Sequence, residues 1–161
     1  MIAVIADTHM PKGRRALPEA CLERIREAEA LIHAGDFSAA SVLAELRGLC
    51  PVVIGVHGNV DDAELRGELP ESLEVEIGER TVAVLHDAGP AKGRLSRMRS
   101  RFPEADAVVF GHSHLPLHET DGGLQIFNPG SPTERRRAPH PSMGLLHPSA
   151  SGLRFEHLWL G

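Results

Sequence analysis

Short runs of β-branched and other apolar residues recur along the chain, each ending in turn-forming residues. They are Ile2 to Ala6, Leu31 to Ala34, Val52 to Val56, Leu73 to Ile77, Thr81 to Leu85, Ala107 to Phe110, Leu124 to Phe127, Met143 to His147 and Leu153 to Leu158. Runs of this length and composition predict strands. Between the first three lie stretches with helical spacing. One is Pro18 to Ala30, with Pro18 suited to a helix start, and the other is Ser38 to Leu49, with Ser38 as N-cap. A third helix is predicted from Gly93 to Phe102. Strands alternating with helices predict parallel βαβ units and an α/β fold. From Asp121 onward strands follow one another across Asp121-Gly122-Gly123 and Pro148 to Gly152, which predicts antiparallel pairing. No repeat, linker or low-complexity stretch interrupts the pattern, and 161 residues are expected to form one domain over 1–161.

The chemistry sits where these strands end. Ile2 to Ala6 runs into Asp7-Thr8-His9, Leu31 to Ala34 into Gly35-Asp36, and Val52 to Val56 into His57-Gly58-Asn59. Thr81 to Leu85 runs into His86, and Ala107 to Phe110 into Gly111-His112-Ser113-His114. The carboxyl ends of parallel strands line one crevice of an open α/β sheet, so five strand ends can deliver side chains to one place. The residues delivered are two carboxylates, one amide and four imidazoles, a set suited to Mn, Fe, Zn, Co or Ni rather than to a thiolate-loving ion. An extended chain puts residues i and i+2 on one side, so Asp7 with His9, and His112 with His114, are expected to present paired ligands. Seven groups exceed what one ion with an open coordination position needs, and two ions sharing one carboxylate is the economical arrangement.

Composition agrees with this picture and narrows it. Ten histidines stand beside only two cysteines, Cys21 and Cys50, which are expected to be free, partly buried thiols. Apolar residues at 42% and charged residues at 24% exclude a disordered or membrane-spanning class, and no apolar run reaches the roughly eighteen residues of a membrane helix. The apolar N-terminus stops at Asp7 and has no basic segment, so it reads as a buried strand rather than a signal peptide, with the cytoplasm as the expected location. Seventeen Lys and Arg against twenty-two Asp and Glu give a net charge of −5. No global basic field exists to hold a long nucleic acid, so phosphate binding must come from a local site.

Asp7-x-His9, Gly35-Asp36, Gly58-Asn59-x-Asp61, His86 and Gly111-His112-x-His114, in this order, resemble the motif series of the calcineurin-like metallophosphoesterase superfamily. Their short spacing and the later Asn128-Pro129-Gly130-Ser131 are similar to its small, single-domain phosphodiesterase branch. The resemblance covers about residues 1 to 135. It implies a four-layer α-β-β-α sandwich with two mixed sheets and a centre of two divalent transition-metal ions per chain, manganese foremost, with iron, zinc, nickel or cobalt as other occupants. Asp7, His9 and His114 would hold one ion, Asn59, His86 and His112 the other, and Asp36 would bridge them. The implied activity is hydrolysis of a small or exposed phosphodiester by in-line attack of a metal-bridging hydroxide, with Asp36, Asn59, His86 and His112 as catalytic residues. Two divalent cations, two carboxylates and one hydroxide sum to a single positive charge, which matches a diester. The rival class is a protein-interaction scaffold resembling the small retromer subunit, whose metal site is compromised. Here every ligand position holds a competent residue.

Three departures from the family pattern matter. Val60 stands where members with a strong protonating group carry histidine, and it has no proton to give. Asp61 beside it, with an ordinary carboxyl pKa near 4, is expected to be ionised. His86-Asp87-Ala88 replaces a His-Gly-His common in the small branch, leaving Asp87 as either a partner to an imidazole or a turn residue. Arg135-Arg136-Arg137 follows the Asn128 motif, and Arg135 or Arg136 could clamp a phosphate oxygen beside Asn59. Among the other histidines, His33 is expected in the core, and His118, His140, His147 and His157 at surface or sheet positions. His57 is a candidate to face substrate, and Arg14 and Arg15 to edge the pocket. Arg94, Arg97 and Arg101 at helical spacing read as a solvated helix face. A second copy of the chain could contribute to specificity as a homo-oligomer.

Overall fold

The computed structural model describes residues 1–161. The elements run in the order β1 (Ile2–Ile5), α1 (Glu19–Glu27), β2 (Ala30–His33), α2 (Ala40–Leu49), β3 (Val53–Gly55), α3 (Ala63–Glu68), β4 (Ser72–Ile77) and β5 (Arg80–Leu85). Then come α4 (Arg94–Arg101), β6 (Ala107–Val109), β7 (Leu117–Asp121), β8 (Leu124–Asn128), β9 (Ser142–Ser149) and β10 (Gly152–Trp159). Two five-stranded mixed sheets result, in the orders β10-β9-β1-β2-β3 and β4-β5-β6-β8-β7.

Strand periodicity explains the layering. Ile2 and Val4 of β1 point to one side and meet Val82, Val84, Val109 and Phe127 of the other sheet. Ala3 and Ile5 point the opposite way and meet Ile25 of α1 and Leu43 and Leu46 of α2. The second sheet does the same, turning Ala83, Leu85, Val108 and Ile126 toward Met98 of α4 and Phe102. Strands apolar on both faces need cover on both, and the product is helix, sheet, sheet, helix. This is the four-layer sandwich expected. Three strand pairs behind the site are parallel, β1 with β2, β2 with β3, and β5 with β6. Their carboxyl ends therefore face one way. No helix is long and apolar enough to cross a membrane.

Four local expectations change. β7 was not evident in the sequence, because Leu117-His118-Glu119-Thr120-Asp121 is mostly exposed and polar. It is an edge strand held by its ladder with β8 and by a two-residue turn, Gly122-Gly123, in which both φ angles are positive (54° and 82°). The stretch from Asp121 onward is also not wholly antiparallel, since β8 lies parallel to β6. α3, one and a half turns long, is started by Asp62, whose side chain accepts the Leu65 N–H at 2.9 Å. Ser38 does not cap α2: it adopts φ 87° and gives its N–H to Asp61 Oδ1 at 2.8 Å, and α2 begins after Ala39.

Candidate metal centre

Asp7, His9, Asp36 and Asn59 follow strands of one sheet, and His86, His112 and His114 follow strands of the other. The two sheets thus each supply part of one cluster. His9 Nε2 lies 3.5 Å from Asp36 Oδ2 and 3.8 Å from Asp7 Oδ1, and His114 Nε2 lies 3.7 Å from Asp7 Oδ1. His86 Nε2 lies 3.1 Å from Asp36 Oδ2 and 3.0 Å from Asn59 Oδ1. His112 Nδ1 is 3.3 Å from the same Asn59 oxygen. All seven predicted ligands meet, in two groups, with Asp36 Oδ2 between His9 and His86. Asp7, His9 and His114 form one compact trio, and Asp7, Asp36 and His86 another. Asp7 therefore touches both trios, a second link that the sequence did not suggest.

The way the side chains converge differs from expectation. Asp7, His9, Asp36, His112 and His114 are not extended but sit in the left-handed region, with φ between 46° and 73°. Such a conformation costs a non-glycine residue about 1–3 kcal/mol and persists only where neighbours over-determine it. Those neighbours are present. Asp7 N–H donates to Gly35 O and His9 N–H to Asp36 O, both at 3.0 Å. Ser131 Oγ donates to Asp7 O at 2.8 Å, and Thr133 Oγ1 to Thr8 O at 2.7 Å. Asn128 Nδ2 donates to Gly111 O and to Ser113 Oγ, which holds the His112 to His114 turn. Gly58 is required by close approach: a Cβ there would lie 2.6 Å from Asp36 N and 2.1 Å from Asp36 Oδ1.

The histidines are oriented as ligands. His86 Nδ1 donates to Ala34 O at 2.8 Å and His114 Nδ1 donates to Glu134 O at 3.1 Å. A carbonyl only accepts, so the proton is on Nδ1 and the Nε2 lone pair points into the cluster. Both Asp7 oxygens, His9 Nε2 and His114 Nε2 are buried without any hydrogen-bond partner. Asp7 is fully buried, and His114 and His9 are 1% and 7% exposed. Buried polar atoms left unpaired cost about 1–3 kcal/mol each, and one from each of Asp7, His9 and His114, all within 4.8 Å of one another, fit a bound cation. The donor set, carboxylate and imidazole with one amide, fits a borderline divalent metal.

Electrostatics reflect the crowding. Burial alone would lower the His86 pKa, but its contact with Asp36 and the nearby Asp7 charge raise it; burial likewise works against the Asp36 carboxylate, yet His86 holds its pKa down. Burial lowers His114, with the Arg136 charge adding to the effect against the pull of Asp7. His33, fully buried and stacked on Phe37 at 3.5 Å, is driven by burial and by the His86 charge down to about 3. It is neutral, accepting from Gly35 N–H and donating to Thr8 Oγ1 at 3.1 Å, and so braces the two loops that carry Asp7 and Asp36.

Several residues around the centre play parts other than those expected. Asp61 is not an ordinary exposed carboxylate. It is 5% exposed, burial pushes its pKa up, and its two oxygens accept the N–H groups of Asp36, Ser38 and Gly58. It ties the Asp36 loop to the Asn59 loop. Arg66 completes that tie by donating to Asn59 O at 2.7 Å and Asp61 O at 3.0 Å. Arg94 and Arg97 are not a solvated face: they clamp the loop after His86, through Gly89 O, Ala88 O and Pro90 O. Arg101 remains exposed. His157 takes the sheet position expected, in β10, where it stacks on Phe127 at 4.4 Å and donates to Asn128 O. Asp87 is a turn residue, accepting Gly89 N–H at 2.8 Å, and its carboxylate lies 3.9 Å from His112 Nε2, beyond hydrogen-bond reach. Arg135 to Arg137 are exposed, and Arg135 donates to Ala138 O. Cys21 and Cys50 are free and buried, with burial pushing the Cys21 thiol up to about 12.

Two cavities open beside the cluster. One, of about 240 Å³, is lined by His57, Asn59, Arg66, Glu71, His86 and Arg101 among others. The other, of about 290 Å³, lies across Asp87 and is lined by Arg94, Phe110, His112 and Ser113 among others.

This fold and this cluster have known counterparts. The calcineurin-like phosphoesterase superfamily domain matches residues 1–151, and the chain belongs to that superfamily. A probable metallophosphoesterase of Methanothermobacter thermautotrophicus is 34% identical over 158 residues, 97% of this chain and 86% of that one. A phosphodiesterase of Methanocaldococcus jannaschii is 25% identical over 142 residues, 80% and 82% of the two chains. In fold, the chain is similar to Vps29 of Entamoeba histolytica complexed with zinc, with a TM-score of 0.77 at 22% identity over 99% of each chain. The chain is thus a phosphoesterase of a metal-binding hydrolase family.

Proposed function

We propose that this chain is a phosphodiesterase with a dinuclear metal centre. Asp7, His9 and His114 would hold one ion, Asn59, His86 and His112 the other, and Asp36 would join them. Manganese is the foremost occupant, and iron, zinc, nickel or cobalt suit the same donors. Two such ions supply an acidified water as nucleophile and positive charge for the phosphoryl oxygens. The observation that carries the reading is the set of buried, partnerless donors on Asp7, His9 and His114.

The chain's own groups divide the remaining work. His86 and His114 keep their protons on Nδ1, pinned by backbone carbonyls, and stay neutral donors at Nε2. The centre's negative charge then comes from Asp7 and Asp36 alone, which suits a singly charged diester better than a doubly charged monoester. Asn59, exposed and lining the first cavity, would meet a phosphoryl oxygen, with the exposed Arg135 and Arg136 as further contacts.

Profiling the manganese-loaded protein tests this. Bis(p-nitrophenyl) phosphate should be hydrolysed with kcat/KM at least about tenfold above that of p-nitrophenyl phosphate, a discrimination of about 1.4 kcal/mol. A preference for the monoester would overturn the diester assignment. The likeness to Vps29 keeps one other reading in view, a protein-interaction scaffold, and for that reading neither ester turns over.

A further inference from the structure

The loop after His9 and the loop before Ala138 carry six cations that the cluster does not use, Lys12, Arg14 and Arg15 on the first and Arg135, Arg136 and Arg137 on the second. They belong to one surface. Arg15 pairs with Glu134 at 3.1 Å, and Thr133 Oγ1 bonds Thr8 O at 2.7 Å, so the two loops are sewn together. That surface also borders the centre. Lys12 N–H donates to His9 O at 3.2 Å, and Glu134 O accepts from His114 Nδ1. With Arg15 neutralised by Glu134, five exposed cations remain, while the whole chain carries −5. Arg136 is held at φ 47°, a strained conformation for a non-glycine residue at the rim of a site.

A substrate with one phosphate, met by Asn59, Arg135 and Arg136, has no use for the further cations Lys12, Arg14 and Arg137. A polymer whose scissile diester is flanked by further phosphates does. We propose that this rim binds the phosphates flanking the scissile one in a short single-stranded oligonucleotide. The inference rests on the phosphodiesterase reading and names its substrate class. A single strand is favoured because His9, Asp36 and His114 are nearly inaccessible, so the scissile phosphate must be brought in on a flexible chain. The rim offers cations, which meet backbone phosphate whatever the base, so recognition is tolerant of sequence.

The test is binding of an eight-nucleotide oligothymidylate with a phosphorothioate backbone, which keeps its charge and resists cleavage, to the manganese-loaded protein, read by fluorescence anisotropy. Five contacts give a slope of log affinity against log salt of about −3.5, so raising salt from 50 to 200 mM weakens binding roughly a hundredfold. The triple variant Lys12→Gln, Arg14→Gln, Arg137→Gln should show a slope of about −1.4 and, from that loss of slope, roughly 500-fold weaker binding at 50 mM salt. The charge-keeping set Lys12→Arg, Arg14→Lys, Arg137→Lys should bind like the parent at an unchanged melting temperature. Salt-independent binding, equal binding by the glutamine variant, or binding to anionic phosphatidylglycerol vesicles in preference to the oligonucleotide would each overturn the proposal. Turnover of bis(p-nitrophenyl) phosphate by the same parent preparation separates failure of this inference from failure of the diesterase reading.

Discussion

Asp36→Asn should lower kcat/KM toward a diester by about three orders of magnitude while leaving the fold intact. Asp36 Oδ2 lies 3.5 Å from His9 Nε2 and 3.1 Å from His86 Nε2, so it faces both halves of the cluster, and Oδ1 accepts the Val60 N–H at 3.0 Å. An amide keeps the shape but would remove one unit of charge from between the two cations proposed. At an effective dielectric near 20, a unit charge about 4 Å from another contributes about 4 kcal/mol, which is about a thousandfold. His112→Ala should cost less, because His112 is exposed at the edge of the cluster, with Nδ1 3.3 Å from Asn59. Steady-state kinetics on both variants, beside their melting curves, check this. Near-normal turnover by a folded Asp36→Asn protein would remove Asp36 from the bridging position.

The second large effect concerns the leaving group. Val60 is 46% exposed and donates only its backbone N–H, to Asp36. Asp61, the nearest carboxyl in sequence, has both oxygens filled by three backbone N–H groups and faces the loops. No acid in that stretch can reach a departing oxygen. General acid catalysis contributes about two to four orders of magnitude where it operates, so aryl diesters should be cleaved about a hundred to ten thousand times faster than unstrained alkyl diesters. The rate should fall steeply with leaving-group pKa. Val60→His should then help the alkyl substrates selectively. A flat dependence in a series of diesters, with chemistry rate-limiting, would show an acid elsewhere, and Asp87, 3.9 Å from His112, is the first residue to replace.

Which residues form the site was legible because each lies at the end of an apolar run, and a strand's end is visible in sequence. How they converge was not. Asp7 and His9 look like two positions of an extended chain, yet both are left-handed, a conformation imposed by Ser131 and Thr133 more than a hundred residues away. Asp61 shows the same gap: its carboxylate reads as an ordinary ionised one until Ser38, Asp36 and Gly58 are folded around it. Arg94 and Arg97 carry the spacing of an exposed face, and only the loop between Asp87 and Lys92 turns them inward. Local sequence encodes the strands and the donors. The clamps that hold the donors in place come from long-range contacts with no local signature, as does the polar edge strand β7, which pairing rather than burial maintains.

The central claim is that Asp36 and the six donors around it hold two ions together. Elemental analysis of protein loaded with manganese and then freed of excess metal measures this most directly. The arrangement predicts two ions per chain in the parent and at most one in Asp36→Asn. One ion or none per chain in a fully folded parent protein would contradict it.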